Sequence, residues 1–428
     1  MKQIILINSL LLIFSLLPAQ VEEEEIKKER LDFAKTYFEY GANFFPSFQG
    51  ANLANGQLQD FRHPASIHQY LNWGGFHFWG KGEFYVSVPL GQYNFGQGEN
   101  PSFEFRYSVV TGFRIYPWRY KEKKIRPYLG ASWSALDFKQ IEKATKNQPL
   151  LSKDFLLTYD AGLLYGINPF TLRLGLNFFP NREWNYPISR TEFSAIKTPP
   201  FSLQIGLMYA MESSGKTSKD KLKKWNNYPR LSSLSSSVPK SENFFLGIGP
   251  SISFSLNESD YNQEVLPYLK DQISSSNYFD ISLGYHFHQA GIFTALSFRN
   301  PTFETEAYES RQEIKKYSLA LEVNKFLIDY SGFTPYMGIN LAFDQIRYEE
   351  KIDMANRSMT FNQFPQTGLT FGWDIRPGKN DEALILRTNL RWYPFSTFSI
   401  DDKRFNFNQL EYNLIQVIFY PGKWRRKR

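Results

Sequence analysis

The sequence contains no cysteine among its 428 residues, which excludes disulfides, thiolate metal sites and a lipid-bearing cysteine at a processed N-terminus. Long apolar runs are also missing. A membrane-spanning helix needs about 20 consecutive apolar residues, and none follows residue 20; the mean hydropathy is −0.42. Histidine is scarce, with five residues, and no glycine-rich phosphate loop, zinc-binding motif or nucleophile elbow is present. Aromatic residues are abundant: 40 Phe, 26 Tyr and 9 Trp. The net charge of +7 is modest, and its excess sits in a few segments rather than along one face.

The first residues read as an export address. Met1-Lys2 is a short positive region, Ile4 to Leu17 is nearly all apolar, and Leu17-Pro18-Ala19 offers small residues for cleavage. Residues 1–19 are therefore expected to be a signal peptide, the apolar stretch of about 14 residues being too short for a retained span. Without a second hydrophobic helix, an exported chain either stays soluble or enters a membrane as a closed β-barrel.

The rest of the chain favours the barrel. Phe201, Leu203, Ile205, Leu207 and Tyr209 alternate with Ser202, Gln204, Gly206 and Met208, the period-two pattern of strands with two unlike faces. Sixteen such segments can be read: 34–47, 70–79, 83–90, 102–117, 126–138, 154–167, 170–179, 200–211, 243–255, 278–288, 291–299, 312–328, 334–347, 364–376, 382–394 and 408–420. Long connections (48–69, 91–101, 139–152, 181–199, 256–277, 300–311, 348–363, 395–407) alternate with short ones such as Gly80-Lys81-Gly82 and Asn168-Pro169. Membrane barrels have short periplasmic turns and long external loops, so the alternation predicts sidedness. Aromatic pairs before proline, including Phe178-Phe179-Pro180 and Trp392-Tyr393-Pro394, are expected to form the interfacial girdle.

The two halves look alike. Gly75-Phe76-His77-Phe78 matches Gly284-Tyr285-His286-Phe287, and Pro127-Tyr128-Leu129-Gly130 matches Pro335-Tyr336-Met337-Gly338. Further on, Gly162 to Gly166 matches Gly368 to Gly372, and Leu172-Arg173 to Pro180 matches Leu386-Arg387 to Pro394. An internal duplication follows, with this order: segment 20–33, a first repeat at 34–211, a basic Ser/Lys-rich linker at 212–242, a second repeat at 243–421 and a basic tail at 422–428. The expected fold is all-β, a transmembrane antiparallel barrel of sixteen strands. It is either two tandem eight-stranded barrels or one sixteen-stranded barrel with an aqueous lumen; a linker of about 30 residues favours two units.

On these patterns the chain resembles outer-membrane β-barrel proteins, particularly duplicated small eight-stranded barrels of the Bacteroidota type. Many bacterial barrels end on an aromatic residue, whereas here Phe419-Tyr420 is followed by Pro421 and a basic tail. The resemblance implies the outer membrane of a Gram-negative bacterium.

Inward charges on neighbouring strands are expected to pair, Asp160 with Arg173 and Asp374 with Arg387, because an inward charge away from water needs a partner. Arg106, Arg114, His77 and His286 are expected to join them in the interior, with Arg391 among the residues that would line an open lumen. Phe178, Phe179, Trp392 and Tyr393 are assigned to the membrane interface. His77, His286 and His288 are read as hydrogen-bonded interior residues rather than metal ligands. His63, Ser66 and His68 lie close in sequence, but sequence proximity does not make a nucleophile and base. No cofactor, metal site or enzymatic activity is expected. The basic segments 121–124, 212–242 and 423–428 are expected to meet anionic lipid headgroups or a periplasmic or cell-surface protein, not nucleic acid. The expected function is a structural or interaction role through external loops and periplasmic basic segments, the alternative being a porin or channel for small solutes.

Overall fold

The computed structural model describes residues 35–211 and 244–422, apart from short stretches within them, the longest being 142–150. The expected signal peptide, the segment 20–33, the linker 212–242 and the tail 423–428 lie outside the described residues.

The first half opens with β1 (Lys35–Phe45), the hairpin of β2 (Phe48–Ala54) and β3 (Gln57–His63), then β4 (Ser66–His77) and β5 (Gly82–Leu90). There follow β6 (Tyr93–Phe95), β7 (Ser102–Tyr107), β8 (Val110–Ile115), β9 (Ile125–Ile141) and β10 (Leu151–Ile167). It ends with β11 (Phe170–Phe178), the hairpin of β12 (Glu183–Pro187) and β13 (Phe193–Lys197), and β14 (Phe201–Met211). Eight of these strands pair in the order β1-β4-β5-β8-β9-β10-β11-β14, and β14 returns to β1, closing a barrel.

The second half begins with β15 (Phe244–Ser255), the short helix α1 (Asp260–Val265), β16 (Tyr278–Phe287), β17 (Ile292–Arg299) and β18 (Thr302–Ala307). Its remaining strands are β19 (Ser310–Phe326), β20 (Phe333–Ile352), β21 (Ala355–Ile375), β22 (Leu384–Tyr393), β23 (Thr397–Ile400), β24 (Lys403–Asn406) and β25 (Gln409–Phe419). Here the order β15-β16-β17-β19-β20-β21-β22-β25 also returns to β15, a second closed ring of eight. Among the described residues, no strand of one ring is hydrogen-bonded to a strand of the other.

Each ring wears its apolar residues outside. On β14, Phe201, Leu203, Ile205, Leu207 and Tyr209 are 41–53% exposed, while Ser202, Gln204 and Met208 are buried inside. That is the surface of a membrane-spanning barrel, where lipid solvates the outward face. Inside, large rings fill the space left by glycines on the next strand. Tyr128 extends its hydroxyl over Gly162, and Tyr336 does the same over Gly372; a Cβ at either glycine would collide with the phenol.

Several of the long connections are built structures rather than loops. β20 and β21 continue through the span read as the loop 348–363 and turn only at Asp353-Met354. Segments 48–69, 181–199 and 395–407 each carry a hairpin, and 300–311 holds β18 and the start of β19. The segment 102–117, read as one strand, is two: β8 belongs to the ring, whereas β7 pairs only with β6 and the outer part of β9. Toward this end the pattern turns inside out. On β20, Ile339, Leu341 and Phe343 face outward, but farther along Ile346 and Tyr348 are fully buried inside while Arg347 and Lys351 are exposed. Water has replaced lipid as the outer solvent, so the ordinary rule of apolar inside returns.

The resulting apolar core joins both halves, with Tyr186, Ile188 and Ile196 in one cluster with Tyr268, Phe303 and Phe398. Arg190, at the tip of the β12–β13 hairpin, donates to the Tyr308 carbonyl at 2.7 Å and to Asp353 at 2.5 Å, and lies over the Tyr268 ring. The Tyr308 hydroxyl donates back to the Pro187 carbonyl at 2.8 Å. Tyr308 and Glu309 form the β18–β19 turn with φ of 49° and 66°, a left-handed conformation that suits a two-residue hairpin but is strained for tyrosine.

Candidate functional site

The polar contents of the two rings are the site to which the folding leads, because they decide whether anything passes. In the first ring Arg173 donates to both oxygens of Glu39 at 3.1 Å and to Glu83 at 2.7 Å. Arg114 reaches Glu83 at 3.0 Å and forms a close ion pair with Asp160. Tyr37 and Tyr116 donate to Glu83; Tyr70 and Asn72 donate to Glu39 at 2.9 and 3.2 Å. These groups come from β1, β4, β5, β8, β10 and β11, so the network crosses the whole section. The Arg114 guanidinium also stands 3.9 Å from the Tyr85 ring centroid, a contact that offsets part of its desolvation.

The second ring carries two such layers. At its short-turn end Arg387 holds Asp374 in a bidentate pair at 2.7 and 3.0 Å, with its guanidinium 3.9 Å over the Phe293 ring. Deeper in, Arg391 bridges Asp280 at 2.5 Å and Glu322 at 2.8 Å. Lys316 meets Glu411 at 2.8 Å and Asp344 at 3.2 Å, and Arg299 makes a close pair with Glu411. Buried charges are tolerated because each faces an opposite charge, and several, Glu83, Asp280 and Glu322 among them, take further hydrogen bonds.

Several expected positions differ. Asp160 pairs with Arg114 rather than Arg173; Arg173 turns to the two glutamates, since its cross-strand neighbour on β10 is Leu164, not Asp160. Asp374 and Arg387 are direct cross-strand neighbours and do pair. His77 faces outward, edge-on to Phe84 at 5.6 Å, because Asn72, Gly74 and Phe76 take the inward positions of β4. His286 is inside, its ring centroid 3.8 Å from that of His288. The tetrapeptide match containing His77 and His286 therefore aligns opposite faces: inward Gly284 corresponds to Gly74, not Gly75, a one-residue slip that inverts every side chain. Likewise the packing partner of Tyr336 is Gly372, so Gly162 corresponds to Gly372 rather than Gly368. Alternation also splits the aromatic pairs. Phe178 and Trp392 face outward, whereas Phe179 is buried against Phe45 and Tyr393 is fully buried beneath Arg299 and Lys316. Arg106 lies on β7, outside the ring, and its side chain is not among those described.

The sequence reading passed over Glu39, Glu83, Asp280, Glu322, Asp344, Arg299, Lys316 and Glu411. Each sits on the minor, polar phase of its strand's alternation, so the signal was present. Ser66 and His68, two apart on β4, both turn inward, with Ser66 Oγ 2.8 Å from His68 Nε2, and the imidazole packs 4.7 Å from the Phe45 ring. Both side chains are buried. Among the described residues no group of three His, Asp or Glu could hold a metal ion. A cavity of about 10 Å³ in the second ring is lined by Phe303, Gln312, Phe405 and Phe407, the size of a single water molecule.

On the same end Tyr261 of α1 donates to Glu350 at 3.0 Å, and Asn262 exchanges hydrogen bonds with Gln312 at 2.9 and 2.8 Å, fixing the cap over the ring. Burial and then the Glu350 carboxylate push the Tyr261 hydroxyl up to about 12.

No family model matches the sequence, and no curated protein matches it. Among solved structures it is similar to Neisserial surface protein A, at 14% identity and TM-score 0.29, over 42% of this chain and 99% of that one. It is also similar to the outer membrane protein OprG from Pseudomonas aeruginosa, at 14% identity and TM-score 0.31, over 42% and 98%. Similarity to the CymD monoaromatic hydrocarbon channel spans 94% of this chain and 93% of that one, at 7% identity and TM-score 0.19.

Proposed function

We propose that this is an integral outer-membrane protein of a Gram-negative bacterium, built as two filled eight-stranded barrels in tandem that arose by duplication. Its role is structural or interactive, carried by the projecting hairpins on the cell surface and by basic segments in the periplasm. The observation that carries this reading is the ion-pair layer across each ring, centred on Glu83 in the first and on Arg391 in the second. A solute path along either axis would have to part those pairs, and breaking a buried pair costs about 3–5 kcal/mol.

The outward apolar belt and the expected export signal support the outer membrane, since an exported chain without a second apolar helix crosses a membrane only as a closed barrel. The short turns face the periplasm, where the N-terminus arrives. The chain works without enzymatic activity or cofactor, its partners being outer-membrane lipid and a cell-surface or periplasmic protein.

The test is conductance. Refolded protein in planar bilayers, shown to be inserted by its heat-modifiable migration, is expected to be electrically silent. Stable open steps from inserted protein would replace this reading with a porin or channel for small solutes.

A further inference from the structure

The outward faces of the two rings are not equally exposed. On β14 and β11 the outward residues stand open, but on β9 outward-facing Ala131 is 4% exposed and on β25 outward-facing Tyr412 is 3% exposed. What covers Tyr412 is the other ring. Trp133 of β9 meets Tyr412 edge-on with centroids 5.6 Å apart, and Phe84 of β5 meets Trp373 of β21 at 5.8 Å. Thr111 of β8 lies beside the Tyr412 hydroxyl across this contact.

Residue choice follows this contact. Tyr128 over Gly162 and Tyr336 over Gly372 supply a common reference, from which the strand registers can be followed around each ring. Thr111 and Trp133 then correspond to Leu321 and Leu341 in the second ring, and Trp373 and Tyr412 correspond to Leu163 and Leu203 in the first. All four leucines are at least 40% exposed. At these four positions a hydroxyl-bearing or indole side chain meets the other ring and leucine meets lipid, whereas Phe84 at the same seam is apolar. In hydrocarbon a lone hydroxyl is costly and a hydrogen-bonded pair is an adhesive.

We infer that β5, β8 and β9 of the first barrel and β21, β22 and β25 of the second form a lipid-excluding protein interface within the membrane, each specialised for the other. The occupant of each face is the other barrel of the same chain. The two faces use different strand positions of the repeat, a heterologous contact that in identical units would propagate into rows; leucine at the equivalent positions stops it at one pair. The inference rests on the tandem-barrel reading and adds that the barrels hold together without their linker.

The absence of cysteine makes the test clean. Thr111→Cys with Tyr412→Cys, and separately Leu321→Cys with Leu203→Cys, are refolded into lipid with a protease site inserted at 212–242. A short bismaleimide is added, the linker is cut, and the halves are run on a denaturing gel. The first pair is expected to keep the halves joined and the second to leave them apart. In protein that keeps heat-modifiable migration, separated halves for the first pair would overturn the interface while leaving the filled-barrel reading intact. Cross-linked multimers for the second pair would overturn the exclusivity of the seam. Without cross-linker, cut wild-type halves are expected to copurify in mild detergent, and Tyr412→Leu to weaken that association severalfold. Copurification unaffected by Tyr412→Leu would overturn the role given to its hydroxyl.

Discussion

Arg114 and Arg173 reach the same carboxylate oxygen, Oε1 of Glu83, at 3.0 and 2.7 Å. Two like charges are thereby held close together by one group that neither can replace. Glu83→Ala is expected to destabilise the first barrel by about 3–5 kcal/mol, since it strands buried guanidinium charge. The loss should appear as a lower urea midpoint in the heat-modifiability assay, and Glu83→Gln, which keeps the shape and not the charge, should recover only a small part of it.

Where Tyr128 covers Gly162, any side chain at the glycine meets both the phenol and the Leu174 backbone carbonyl of the next strand. Gly162→Val is expected to cost about 1–3 kcal/mol, the usual range for overpacking. Tyr128→Ala combined with it should restore part of the loss, read as a positive coupling in a double-mutant cycle.

The alternation of single positions can be read optically. Tryptophan placed at Phe178 is expected to be quenched by brominated lipid and tryptophan at Phe179 to be spared. The matching pair is Trp392, quenched where it stands, against tryptophan placed at Tyr393. Equal quenching at both members of a pair would mean that the strands do not face as described.

Arg190 joins the projecting ends of the two halves, and its hydrogen bond to Asp353 holds that carboxyl below the usual aspartate value. A folded-state value lower than the unfolded one means that the bridge contributes fully above about pH 3.9 and fades as pH falls through the lowered value. Spin labels on Ser189→Cys and Met354→Cys should therefore report a narrow distance at neutral pH that broadens in acid. Asp353→Asn should broaden it at every pH.

Much of the barrel was legible because lipid and interior impose unlike demands on alternate residues, and sixteen ring strands of Leu, Phe and Tyr against Gly, Ser and Gln leave little ambiguity. The ends of β20 and β21 were not legible as strand, since beyond the lipid the alternation changes sign: Arg347 and Lys351 outside, Ile346 and Tyr348 inside. A scan for an apolar outer face reads that reversal as a loop. Which acid meets which base was not legible either. Asp160 and Arg173 sit on neighbouring strands, yet stagger and side-chain reach send them to different partners. Single-residue matches between the halves misled for a simpler reason: Gly75 and Gly284 share a tetrapeptide pattern and face opposite ways.

The β20–β21 hairpin is longer than any bilayer requires. Twenty and twenty-one residues at about 3.3 Å each reach roughly 66 Å along the strand, and 9–11 tilted residues suffice to cross hydrocarbon. Nearly half of the hairpin stands clear of lipid, with Met354 at its tip 99% exposed and its root clamped by two hairpins and a helix. A foreign peptide spliced at Met354 would be carried on a stiff mast, accessible to antibody or phage, with its ends fixed in register by the strands below.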